Sequence, residues 1–280
     1  MTDPVSIVRN GRRTFVKWHR ARRRASDPVF TGRRILEGMA LGASVEVDLV
    51  VHAEHGFAVL HDHLSIARET TGQGPARGHG AAGLRALNLR GNDGAPIPDR
   101  VMLLEDLCAL LAADPPHPEA LLQLDYKEDD AALDAASIAS FAAGAGPVAR
   151  NMILSGGSAE GVRLLADAVP AMRIGYDPCS VENIAALRQS RDYAGFVRNA
   201  LAASPRAEMI YLSWELVLEL DRAGFDIIAA FHAAGRRVDA WTITAIDDAS
   251  VAVADRLLAL GVDQITTDDP EGLVARFAQP

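Results

Sequence analysis

The chain has 280 residues, enough for one large barrel or two smaller domains. It is 49% hydrophobic and 23% charged, the balance of a soluble globular protein. Against 28 Lys and Arg stand 37 Asp and Glu, a net charge of −9, which argues against general nucleic-acid binding. Cys108 and Cys179 are the only cysteines, too few for a disulfide framework or a cysteine zinc site, so a reducing compartment is expected. The N-terminus lacks an apolar signal core, and no run reaches the roughly 18 apolar residues of a membrane span. A cytoplasmic protein without a transmembrane segment is expected.

In chain order, Phe15 to Trp18 reads as a first strand, followed by a basic stretch, Lys17 to Arg24. That stretch is either a solvated loop or a patch that steers anions. Residues 33–41 read as a helix, 45–51 as a strand and 57–60 as a short strand behind Gly56. The segment from Arg68 to Pro98 is rich in Gly, Arg and Ala and reads as a loop or small insertion, about 68–99. A helix over 103–113 stops before Pro115-Pro116, and 120–126 is the third main strand. An alanine-rich helix over 131–143 ends at Gly144. Short strands at 152–154, 172–174, 209–212, 238–243 and 264–266 are each followed by helical periodicity. Eight strands alternating with helices predict a (β/α)8 TIM barrel in one domain, 1–280, with an insertion after the second strand. No Gly-x-Gly-x-x-Gly follows the first strand, which disfavours a dinucleotide-binding open sheet.

In such a barrel the site lies at the C-terminal ends of the strands. There the chain places His19, Glu46, Asp48, Asp125, Lys127, Trp241, Asp268 and Asp269. Glu46 and Asp48 are two apart on an apolar strand and so share a face. Buried together they repel each other unless a cation lies between them. Asp125 and Lys127 repeat the spacing on strand three, either as a structural ion pair or as a third metal carboxylate with a phosphate-binding ammonium. Three convergent carboxylates suit Mg2+ or Ca2+. His61-Asp62-His63 offers another interpretation, a His-x-His zinc pair, but no later strand-end histidine completes the set. His52, His55, His79 and His117 read as surface residues.

Taken together these residues resemble the glycerophosphodiester phosphodiesterase family, within the phospholipase C-like phosphodiesterase TIM barrels. His19-Arg20 resembles the family's His-Arg-Gly, and Gly42 to Asp48 its Gly-Ala followed by Glu-x-Asp. Gly56 with Leu60-His61-Asp62 resembles the following Asp-Gly and His-Asp stretch, and Thr70 to Gly74 its Thr-x-Gly turn. Ile97-Pro98 with Leu103-Leu104-Glu105, Asp125-Tyr126-Lys127, Trp241-Thr242-Ile243 and Gly261 to Pro270 continue the match in order. The middle, 128–209, matches weakly. Departures are Ala21 for Gly, Val29 and Phe30 for Glu and Asn, Asp125 for Glu, Thr244 for a common Asn, and Lys17 on the face of His19.

The resemblance implies an enzyme that hydrolyses glycerophosphodiesters to glycerol 3-phosphate and an alcohol. It implies a divalent cation, Mg2+ or Ca2+ with Mn2+ as a further option, on Glu46, Asp48 and Asp125. His19 and His61 would be general acid and base, in an order the sequence leaves open. Arg20 and Lys127 would hold the phosphoryl oxygens, and Trp241 would wall the glycerol. Two alternatives stay open: a lipid-directed phosphodiesterase resembling phospholipase D or sphingomyelinase D, and a catalytically impaired anion-binding barrel. The partner is a small phosphodiester in either enzyme reading, and the sequence leaves the oligomeric state open.

Overall fold

The structure, a computed structural model, describes residues 4–278. Twelve strands follow one another: β1 Ser6–Arg9, β2 Arg12–Trp18, β3 Ser44–Val51, β4 Phe57–Val59, β5 Asn88–Arg90, β6 Pro96–Arg100, β7 Leu121–Tyr126, β8 Met152–Gly156, β9 Arg173–Tyr176, β10 Met209–Ser213, β11 Arg237–Ile243 and β12 Gln264–Thr267. Eight of these, β2, β3 and β7 to β12, form a parallel ring that the β12–β2 and β2–β3 pairings close. Helices cover the outside between strands, so the (β/α)8 barrel expected from the alternation is the observed architecture. Among the described residues no helix is long and apolar enough to cross a membrane.

Two apolar layers hold the barrel. The larger lies between strands and helices and takes the outward residues, such as Val45, Val47 and Leu49 of β3. The helix Gly32–Leu41 shows how it is built: Ile35, Gly38 and Met39 lie on one buried face. A Cβ at Gly38 would lie 2.6 Å from Val45 and 3.2 Å from Trp18, so only glycine lets this helix lie so close to β2 and β3. The smaller layer is a plug inside the ring, Leu121, Ile153, Met209 and Tyr211. Gly175 on β9 makes room for it, since a Cβ there would meet the Tyr211 ring at 2.4 Å. This plug makes the barrel interior a packed core beneath the polar residues of its C-terminal side.

Several local expectations are corrected. The chain's Asn10-Gly11 joins β1 and β2 into an antiparallel hairpin through a two-residue turn, so the first barrel strand begins at Arg12 and not at Phe15. The alanine-rich helix runs Ala135–Ala145, not 131–143: the Asp134 side chain accepts the Ser137 N–H and starts it there, and Gly144 is helical. The segment read as loop contains a short helix, Ala81–Arg85, and the β5–β6 hairpin, elements too short to show periodicity. His52 is buried, not on the surface. Its backbone N–H donates to Gly56 O at 2.9 Å, and the tight return from β3 to β4 folds its ring over Gly56.

Candidate active site

Register brings the polar residues together. Glu46 pairs with Gln123 and Asp48 with Asp125 across β3 and β7, and Asp125 with Ser155 across β7 and β8. Because neighbours in register face the same side, one ring of inward side chains rises from the apolar plug to the C-terminal rim. The resulting cavity of ≈ 260 Å3 is lined by His19, Arg20, Glu46, Asp48, His61, Asp125, Lys127 and Trp241; of the strand-end residues expected there, Asp268 and Asp269 do not line it, and Asp269 caps the last helix by accepting the Gly272 N–H. His63 does not line it, and among the described residues the one cluster with metal-binding geometry is Glu46, Asp48 and Asp125, which disfavours the His-x-His zinc arrangement.

Ligand oxygens of the three carboxylates lie within 4.8 Å of one another. Burial, with repulsion from Asp48 and Asp125, pushes the Glu46 carboxyl well above the usual range. Burial also disfavours the charge of Asp48, but Lys127 and Arg20 outweigh it and hold that carboxyl below the usual range. Asp48 Oδ2 is buried and has no hydrogen-bond partner. A cluster with one carboxyl driven toward neutrality and one acceptor unfilled fits a hard divalent cation with oxygen ligands. Two cations of the chain offset part of the charge: Lys127 Nζ lies 2.9 Å from Asp125 Oδ2 and 3.4 Å from Asp48 Oδ1, and Arg20 Nε 3.1 Å from Asp48 Oδ2.

The loop after β2 sets the other side. Arg20 and Ala21 take left-handed backbone angles, φ 51° and 59°, which turns the Arg20 N–H onto Glu46 Oε2 at 2.7 Å. Ala21 thus keeps the conformation that a glycine adopts freely, at a cost a Cβ always adds there. His19 Nδ1 and Asp268 Oδ1 are 2.6 Å apart, and Arg22 Nη1 is 2.9 Å from Asp268 Oδ2. A carboxylate only accepts, so the ring proton belongs on Nδ1 and leaves Nε2 as the free nitrogen. Burial works against the Asp268 charge, but His19 and Arg22 hold its carboxyl below the usual range. His61, reached through the turn after β4, is pushed down to about 4 by burial, with Arg20 and Lys127 adding to the effect. Its backbone N–H donates to Glu69 Oε2 at 2.9 Å.

Below these groups lies a polar floor that the sequence showed only in part. Lys17, flagged as unusual on its strand, is 3.2 Å from Asp239 Oδ2, and both side chains are buried. Lys17 Nζ donates to Gln123 Oε1; Gln123 Nε2 donates to Ser155 Oγ, and Ser155 Oγ to Asp125 Oδ1, each of the latter two at 2.8 Å. Asp239, Ser155 and Tyr211 complete this floor, and their one sequence signal is an inward alternation position on each strand. Asp177 also lines the cavity, its carboxyl pushed up to about 7 by burial. The indole N–H of Trp241 is buried without a partner beside the same space.

Comparison with known proteins supports the barrel fold. No family model and no curated protein sequence matches the chain. Solved structures do. A glycerophosphodiester phosphodiesterase from Agrobacterium tumefaciens is 22% identical, covers 94% of this chain and 99% of its own, and superposes with a TM-score of 0.65. The corresponding enzyme from Thermotoga maritima is 17% identical over 94% of this chain and 98% of its own, TM-score 0.64. A phosphodiesterase from Oleispira antarctica, solved with the product sn-glycerol-3-phosphate, is 17% identical over 94% and 95%, TM-score 0.63. At these identities the likeness establishes a shared fold.

Proposed function

We propose that this chain is a phosphoric diester hydrolase that cleaves glycerophosphodiesters to glycerol 3-phosphate and an alcohol. The observation that carries the reading is the convergence of Glu46, Asp48 and Asp125 within 4.8 Å, with two histidines and three cationic side chains, Lys17, Arg20 and Lys127, on the same cavity. The product-bound Oleispira antarctica phosphodiesterase of the same fold supports the choice of substrate. Glu46, Asp48 and Asp125 would hold the divalent cation, Mg2+, Ca2+ or Mn2+. When bound, such an ion polarises phosphoryl oxygens and neutralises charge that builds on them.

The remaining roles follow from the geometry. Arg20 and Lys127, fixed by their carboxylate contacts, face the anionic phosphoryl group and stabilise its transition-state charge. His61, neutral at physiological pH, accepts the proton of the attacking oxygen. In the imidazolium form, with Asp268 holding the Nδ1 proton, His19 gives its second proton from Nε2 to the departing alkoxide and is left with the Nδ1 proton alone. Trp241 packs against the glycerol carbons, and its free indole N–H is placed to donate to a glycerol hydroxyl. A lipid-directed reading has one observation in its favour: a largely apolar cavity of ≈ 360 Å3 beside Trp214, Ile243 and Val253, sharing Thr242 with the site. A panel of soluble glycerophosphodiesters and lysophospholipids, assayed with Mg2+, Ca2+ or Mn2+ and with EDTA, tests both. Release of glycerol 3-phosphate that EDTA abolishes is expected. Turnover of lysophospholipids alone would move the assignment to lipid, and full activity in EDTA would remove the metal role.

A further inference from the structure

A second cavity, of ≈ 390 Å3, opens beside the first and shares Arg20 and His61 with it. Its walls come from the loop after β2 and from the segment between β4 and β6. Four guanidinium groups line it, Arg20, Arg22, Arg68 and Arg90, against two carboxylates, Asp62 and Glu69. Those carboxylates are occupied by backbone: Asp62 Oδ1 accepts the N–H groups of Leu64 and Ser65, and Glu69 Oε2 those of His61 and Asp62.

Arg20 and Arg22 are paired with Asp48 and Asp268, but among the described residues Arg68 and Arg90 have no carboxylate partner. Arg90 is fixed by neutral acceptors alone: Nε donates to Ala67 O and Thr70 O at 3.1 and 2.7 Å, and Nη1 to Gly94 O at 2.6 Å. Carbonyls position a guanidinium without cancelling its charge. Among the described residues Arg68 has no carboxylate within 4.0 Å, and it is exposed. Arg22 shares Asp268 with His19, and its Nε is buried without a partner. The far wall is anchored, because Asn92 Nδ2 in the β5–β6 turn donates to Ala25 O at 2.9 Å. On a chain of net charge −9, an arginine-lined hollow beside a phosphodiester site marks a place for negative charge.

We infer that this cavity receives the departing alcohol and that the preferred alcohol carries its own anionic group, a phosphate monoester or a carboxylate. Arg68 and Arg90 bind that group, and Arg22 links it to Asp268 and thus to His19, which protonates the departing oxygen. The inference rests on the hydrolase reading and adds the charge of the alcohol to it. The phosphoryl group in the first cavity and the second anion then lie on either side of Arg20 and His61.

A matched pair tests it: glycerophosphoinositol, whose alcohol is neutral, and glycerophosphoinositol phosphate, whose alcohol is anionic. The same pair offered as lysophospholipid micelles separates a lipid source from a soluble one. In at least one form, kcat/KM for the anionic member is expected to exceed that of the neutral one by tenfold or more. In Arg68→Glu that ratio falls at least tenfold, with KM carrying most of the change. Equal rates for both members, or a ratio that Arg68→Glu does not move, would overturn the inference and leave the hydrolase reading standing. Calorimetric titration with inositol monophosphate and with inositol needs no turnover. If no diester is cleaved the hydrolase reading fails, and the cavity assignment is then decided by this titration. Binding of the phosphate compound alone, weakened at least fivefold in Arg68→Glu, supports it; no binding, or binding that Arg68→Glu leaves unchanged, overturns it.

Discussion

The two histidines of the cavity sit in opposite settings, and that difference is testable. His61 is disfavoured as a cation by burial and by Arg20 and Lys127, which bring it down to about 4. The unfolded chain binds a proton at His61 near pH 6.5, whereas the folded chain refuses it until about pH 4. Between those values the unfolded state holds more protons, so this residue makes the fold less stable as pH falls. Wild type should therefore lose stability relative to His61→Gln as pH drops from 6.5 to 4, by about 1–2 kcal/mol once solvent screening of the partly exposed ring is discounted. Parallel denaturation midpoints for the two proteins across that range would refute it. His19 depends instead on a partner at the other end of the chain, Asp268 at 2.6 Å. His19→Ala should lower kcat by roughly 10^2 to 10^4. Asp268→Ala should lower it by a factor within the same span, and the double variant little further, because both act in one proton transfer. If the two losses multiplied, Asp268 would act on something other than His19.

Among the elements, the barrel floor is a seam that joins β2, β7, β11 and β12. Asp239 accepts from Gln264 Nε2 at 2.6 Å and Thr266 Oγ1 at 2.7 Å, and pairs with Lys17 at 3.2 Å. Lys17→Met strips a fully buried carboxylate of its cation, and such a change costs about 3–5 kcal/mol. Lys17→Met/Asp239→Asn should recover a good part of that, since the charge left behind is removed too. Urea unfolding of the three proteins measures it; a double variant as unstable as Lys17→Met would show that Lys17 acts through packing over the Tyr211 ring, 4.3 Å away. This seam also shows what a single sequence can disclose. Alternation on β3 and β7 is enough to put Glu46 with Asp48 and Asp125 with Lys127, because facing depends only on local spacing. Which distant strand then meets that face depends on ring closure and register, so Asp239 against Lys17 and Asp268 against His19 were not readable in advance. The β5–β6 hairpin was hidden for a different reason: its strands of three and five residues are shorter than any periodicity.

For the whole molecule, a net charge of −9 and a buried carboxylate cluster make two different claims about salt. Any electrolyte screens diffuse repulsion among surface carboxylates, by an amount set by ionic strength and not by ion identity. A cation held by Glu46, Asp48 and Asp125 acts by mass action on the native state alone, by about 2.7 kcal/mol at a hundred times its Kd. For a chain of this size that corresponds to a rise in Tm of roughly 5 °C. The gain should be pH-dependent with a definite sign. Glu46 holds its proton well above the usual carboxylate range, so cation binding must displace it. Affinity therefore falls as pH is lowered, from a higher pH than ordinary carboxylates would produce. Thermal unfolding in Mg2+ or Ca2+ should exceed unfolding in NaCl of equal ionic strength by those few degrees. Asp48→Asn should abolish the excess and keep the NaCl response, since it removes a ligand and leaves the surface charge almost unchanged. An excess that survives Asp48→Asn would place the cation elsewhere on the acidic surface, and no excess in wild type would leave the three carboxylates as partners of Arg20 and Lys127 alone.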